Sequence, residues 1–135
     1  MKKLLFFLTL FFLMSVSCER SDLGENYFSI GEKTTFKAGT IYYSSNGNLQ
    51  FQFAVTSDSR CPVGLYCIWA GEVSVEIIMK QTEKTDTLEV SSLSPVVEAF
   101  GLYSLTLHEV HPYPESSKAI SPNDYSMEMT VSKIE

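Results

Sequence analysis

Cysteine, histidine and methionine are the side chains in this sequence that could carry chemistry, and each set is small. The three thiols are Cys18, Cys61 and Cys67. Cys61 and Cys67 enclose Pro62, Val63, Gly64, Leu65 and Tyr66. That Pro/Gly spacing between strands is unlike a CxxC at a helix N-terminus, where a catalytic thiolate is stabilised. His108-Glu109-Val110-His111 offers two imidazoles and a carboxylate to a metal such as zinc, with Glu115 as a further ligand if the chain folds back beyond Pro112. On a strand, residues three apart point to opposite faces, and the HExxH spacing that places two histidines on one helix face is absent. Met127 and Met129 share a strand face as soft copper ligands would, yet they continue the apolar set of Tyr125 and Val131 and therefore read as core. The chain contains no G-x-S-x-G, GxGxxG, P-loop or EF-hand spacing, and no carboxylates visibly paired in apolar surroundings as glycosidase chemistry requires. The sequence thus predicts no catalytic residue, no cofactor and no metal site.

The elements that would position any site are strands. Leu49, Phe51, Phe53 and Val55 alternate with Gln50, Gln52 and Ala54; Val73, Val75, Ile77 and Met79 with Ser74, Glu76 and Ile78; Tyr125, Met127, Met129 and Val131 with Ser126, Glu128 and Thr130. Tyr103, Leu105 and Leu107 repeat the period of two, and shorter runs lie around Phe28, Phe36, Tyr42, Leu88 and Val97. Ser45-Asn46-Gly47-Asn48 predicts a hairpin into the strand that begins at Leu49, and Ser121-Pro122-Asn123-Asp124 a turn before the last strand. Seven or eight strands in residues 27–135 predict a single all-β domain, a small antiparallel β-sandwich. An immunoglobulin-like arrangement is expected first and an irregular barrel second.

Residues 1–17 read as a leader. Lys2 and Lys3 precede an apolar run at residues 4–14, too short for a hydrocarbon core that takes roughly 20 helical residues to cross. Ser15-Val16-Ser17-Cys18 follows, and it resembles the lipobox of bacterial lipoproteins, with Ser15 in the place usually held by Leu, as in the looser lipoboxes of Bacteroidota-type bacteria. The resemblance implies cleavage before Cys18, acylation of its thiol, and a lipid-anchored protein of the outer membrane, facing the periplasm or the cell surface. Residues 18–26 then form a polar linker whose acidic character resembles the export signals of surface-exposed lipoproteins.

Acylation of Cys18 accounts for the odd thiol in an oxidising compartment and leaves Cys61 and Cys67 as a disulfide pair. A turn over five residues brings two Cα atoms within the roughly 4.4–6.8 Å that such a bond requires. Removal of 17 of the 135 residues takes Lys2 and Lys3 with it and leaves 8 basic against 16 acidic residues, a net charge of −8. That balance argues against nucleic acid or anionic lipid as a partner held by charge.

Residues 58–72, DSRCPVGLYCIWAGE, are the distinctive segment. They resemble the segment that marks a group of small secreted or lipid-anchored bacterial proteins, in which Asp-Ser-Arg-Cys-Pro is followed by a second Cys and by Trp-Ala-Gly. Pro112-Tyr113-Pro114 and the flanking strands are similar as well. That group has no established activity, so the resemblance implies a fold and a location and no catalytic residue. Two readings of the segment stand. In the structural one, Asp58 caps the turn or pairs with Arg60, Trp69 covers one end of the sandwich, and Gly71 lets the chain bend into the next strand. In the functional one, a stiffened loop displays Arg60, Tyr66, Trp69 and Glu72 to a partner. The functions expected are a non-catalytic recognition or accessory module for an envelope protein, glycan or peptide, an inhibitor that inserts the Cys61–Cys67 loop into a target, or a metal-handling or redox protein.

Overall fold

The computed structural model describes residues 26–135; the leader, Cys18 and all of the linker except Asn26 lie outside the described residues. Nine strands follow in order: β1 (Tyr27–Phe28), β2 (Lys33–Lys37), β3 (Tyr42–Ser44), β4 (Leu49–Asp58), β5 (Val73–Gln81), β6 (Lys84–Ser91), β7 (Val96–Ala99), β8 (Tyr103–His111) and β9 (Ser126–Lys133). They build two sheets, β1-β3-β4-β5-β6 and β2-β9-β8-β7. All neighbours are antiparallel except β1 and β3. The expected sandwich is present, and the sheets do not close into a barrel. β3–β6 and β7–β9 are each a meander of consecutive strands, while β1 lies beside β3 and β2 crosses to lie beside β9; this is not the strand order of an immunoglobulin domain.

Alternation produces this packing directly. The inward sets of β4, β5 and β9 are buried, including Leu49, Phe51, Phe53, Val75, Ile77, Met79, Met127, Met129 and Val131. Phe36 sits where the two sheets meet, edge-on to Phe28, Tyr42 and Phe51 at centroid distances of 5.6, 4.9 and 4.6 Å. Such edge-to-face contacts set the positive rim of one ring against the negative face of another. The hairpin at Ser45-Asn46-Gly47-Asn48 is held by buried Ser44, whose Oγ accepts from Leu49 N–H at 2.9 Å and donates to Asn46 Oδ1 at 2.6 Å. At the same end of the sheet, where Gln81 pairs with Leu49, Thr82 and Glu83 make a two-residue turn from β5 into β6, with Thr82 at φ +54°. This hairpin carries none of the Asn-Gly chemistry that marks such turns in a sequence.

Strict alternation fails in β8. The register shifts between Leu107 and Glu109, so His108 is the extra residue of a β-bulge and both Leu107 and Val110 face the core. The bulge overturns the expectation that His108 and His111 point to opposite faces. His108 and Glu109 are exposed and His111 is half-buried on the outer side. There His108 Nε2 lies 2.8 Å from Thr130 Oγ1 and His111 Nε2 lies 3.5 Å from Glu109 Oε2. Met127 and Met129 are fully buried core residues, as expected.

Phe36→Ala empties the centre of the aromatic cluster. It is expected to cost about 3–5 kcal/mol in urea unfolding, and a loss below about 1 kcal/mol would contradict the packing described.

Candidate functional site

Past Asp58 the chain leaves the sandwich and returns at Val73, and the two legs continue the β4–β5 ladder outward. Ser59 N–H donates to Glu72 O at 2.8 Å, Glu72 N–H donates to Ser59 Oγ at 3.0 Å, and Cys61 N–H donates to Ala70 O at 3.0 Å. Gly71 makes this approach possible. It has φ +69°, and a Cβ there would lie 1.8 Å from the Ser59 carbonyl oxygen, so no other residue fits without separating the legs. Beyond this point the Cys61–Cys67 disulfide closes the tip, with Cα atoms 5.8 Å apart. Val63 N–H donates to Pro114 O at 2.9 Å and fastens one side of the ring to the segment after β8.

The base is held by a buried ion pair. Asp58 and Arg60 side chains are each only 8% exposed. Arg60 Nε donates to Asp58 Oδ1 at 2.8 Å and Nη2 to Asp58 Oδ2 at 2.7 Å, the two-pronged geometry in which guanidinium and carboxylate match best. Two further hydrogen bonds cross to the other sheet and the residue just after it, Nη1 to Val110 O at 2.6 Å and Nη2 to Pro112 O at 2.9 Å. Tyr113 lies beneath the guanidinium with its ring centroid 4.8 Å from Cζ, a cation–π contact. Tyr125, preceding β9, donates its hydroxyl to Asp58 Oδ2 at 3.1 Å. Residues of both sheets thus converge on one carboxylate and one guanidinium. Burial by itself would raise the Asp58 carboxyl, but the hydrogen bonds and charge of Arg60, with the Tyr125 hydroxyl, outweigh it and hold the group below its ordinary range. Burial and the neighbouring Asp58 charge push the Tyr125 hydroxyl up.

The tip is the opposite in character. Tyr66 (108%), Ile68 (94%) and Trp69 (81%) are almost wholly exposed, and Val63 and Leu65 are more than half so. Residues 61–70 include no charged side chain. The structure therefore divides the expected set. Tyr66 and Trp69 are displayed, Glu72 is half-buried with its backbone bound to Ser59, and Arg60 is buried and engaged. Arg60 is corrected from a displayed residue to a structural one, because it is buried and four of its five N–H donors go to Asp58 and to two main-chain carbonyls. Trp69 does not cover the end of the sandwich; it lies on the returning leg beyond the Cys61–Ala70 pairing, outside the sandwich, and is 81% exposed. Val63, Leu65 and Ile68 belong to the same surface, and their sequence signal is an apolar run without period inside a charge-free stretch.

Beside the clamp, a groove of about 290 Å³ opens between the sheets, walled by Val73, Pro95, Leu107 and Val110 with His108 and Glu109 at its rim. Among the described residues, no group of three His, Cys, Asp or Glu side chains is placed to hold a metal ion. The chemistry that this end of the molecule offers is apolar contact.

Arg60→Gln leaves the Asp58 carboxylate buried without its partner, and urea unfolding is expected to show a loss of about 3–5 kcal/mol. Trp69→Ala, on open surface, is expected to move stability by less than about 0.5 kcal/mol, and equal effects of the two would contradict this division. The Asp58 carboxyl lies below the roughly 3.9 of an unfolded chain, so the clamp contributes in full above that pH and is lost as pH falls through the folded value. Stability is expected to drop more steeply on acidification below about pH 4 in the wild type than in Asp58→Asn, and parallel curves would contradict it. Comparison with protein-family models, curated proteins and solved structures finds no match.

Proposed function

We propose that this chain is a lipid-anchored, non-catalytic accessory module of a bacterial cell envelope, whose working element is the stapled projection at residues 59–72. The observation that carries this reading is the contrast between a clamped, buried base and an apolar tip held in solvent. Exposing Tyr66, Ile68 and Trp69 together forgoes burial worth about 1.5–3 kcal/mol for a typical large apolar side chain, and a folded domain gains nothing from that display by itself. Trp and Tyr on a rigid loop are the residue types that dominate docking contacts. Cys18, followed by a polar linker, supports the tether through the lipobox resemblance.

A second reading is favoured by the projection's shape. A convex, disulfide-closed loop suits insertion into the cleft of a target enzyme as an inhibitor, and its protrusion meets that requirement. Metal handling draws no comparable support from the placement of His108, His111 and Glu115.

Acyl groups on Cys18 are expected by mass spectrometry, with Cys18→Ser moving the protein to the soluble fraction; an unmodified Cys18 would overturn the anchored reading. A photo-crosslinker at Tyr66 is expected to form adducts in intact envelopes where one at Thr85, on the edge strand β6, forms none. Equal labelling at both positions would remove the projection from its role.

A further inference from the structure

The tip's chemistry and the direction from which the chain enters the sandwich together identify a surface for it. β4 runs from Leu49 to Asp58, toward the projection. β3 is antiparallel to β4 and β1 is parallel to β3, so both run away from that end. Asn26, where the described chain begins, therefore opens toward the projection's end of the sandwich, and its carbonyl accepts from Tyr43 N–H at 2.8 Å on the sheet edge. Seven residues, 19–25, lie between Cys18 and Asn26, and the eight steps from one to the other span at most about 26–29 Å. Tyr43 pairs with Gln50, and the eight steps of β4 from there to Asp58 cover about 27 Å. The leash and the body are thus matched in reach on the same side.

We propose that the projection inserts into the interfacial layer of the bilayer that carries the chain, as a second membrane contact beside acylated Cys18. The proposal rests on the anchored reading for the nearness of the bilayer, though not for the chemistry of the tip. Leu65 and Tyr66 inside the Cys61–Cys67 ring, and Ile68 and Trp69 just past it, are all exposed. A partner protein of ordinary shape covers one face of such a loop; a lipid layer is apolar on every side of it. Trp and Tyr are the aromatic residues favoured at the boundary between headgroups and acyl chains. The charge-free stretch ends at Arg60, neutralised by Asp58, and before Glu72, so no unpaired charge enters with the tip. With a mature balance of −8 the domain gains nothing from anionic headgroups, so insertion depends on apolar contact made effective by the tether and is insensitive to salt.

Trp69 is the single tryptophan of the chain and reports on the tip directly. The mature chain, lipidated at Cys18, is reconstituted into vesicles of phosphatidylethanolamine and phosphatidylglycerol whose acyl chains carry bromine. Trp69 emission is expected to shift to shorter wavelength and to be quenched by the bromine, equally at low and high salt. Ile68→Glu, at an exposed position, is expected to stay folded and vesicle-bound while losing both the shift and the quenching. A chain that floats with the vesicles while Trp69 stays long-wavelength and unquenched would leave the anchor standing and overturn the insertion. The Cys18→Ser chain added to excess vesicles separates the two readings further. Quenching there supports insertion even if acylation is disproved, and its absence together with an unmodified Cys18 overturns both. Shielding of Trp69 by soluble envelope proteins but not by vesicles would assign the tip to a protein pocket and overturn the inference.

Discussion

One ion pair governs this end of the molecule. Asp58 closes the longest strand of one sheet and Arg60 follows it by two residues, yet the guanidinium donates to the carbonyls of Val110 in the other sheet and of Pro112 just after it. Tyr125 reaches back across the same gap to the carboxylate. Removing two charges from water is costly, and a pair this buried is retained only where its geometry is close to ideal and its remaining donors are satisfied. Both conditions hold here, because Arg60 is bidentate to Asp58, capped by two carbonyls and stacked on Tyr113. Elsewhere the sheets are joined mainly by apolar packing, which is non-directional, with single hydrogen bonds such as Lys37 N–H to Tyr42 Oη at 2.8 Å; at this end a cluster of charged and polar contacts makes the join.

From that join the projection follows as a matter of geometry. The legs leave the sandwich already paired, Gly71 lets them approach, and the disulfide closes the tip. Rigidity at the base removes the ordering cost that a flexible loop would meet on docking, so a few apolar side chains suffice for contact. The division of labour is sharp within fifteen residues: Asp58, Arg60 and Gly71 build, while Leu65, Tyr66, Ile68 and Trp69 are presented.

Periodicity made the sandwich legible, since period-two runs such as Val73, Val75, Ile77 and Met79 have one physical solution when one face must be dry. The pairing of Asp58 with Arg60 was legible as one of two local options, and that of Cys61 with Cys67 from their spacing together with the reading of Cys18 as acylated. What sequence could not show is non-local. Arg60 is buried because main-chain carbonyls some fifty residues away accept from it, and a carbonyl leaves no mark on residue type. The bulge at His108 adds one residue to β8 without a glycine to announce it, and so turns two histidines to one side. Of the two readings of Trp69, the structural one had it cover apolar surface because indole usually does. Whether a ring on a stapled loop points inward depends on the direction of the legs, which the clamp sets from the far sheet.

Native-state amide hydrogen exchange tests most directly whether the clamp orients the projection. In the wild type, Cys61 N–H, bonded to Ala70, and Val63 N–H, bonded to Pro114, should exchange slowly. In Arg60→Gln they should exchange at the rate of open loop amides, while those of Phe51 and Ile77 in the paired centre of β4 and β5 stay protected. Unchanged protection of Cys61 and Val63 in the variant would contradict the account, for the projection would then be held without the buried pair.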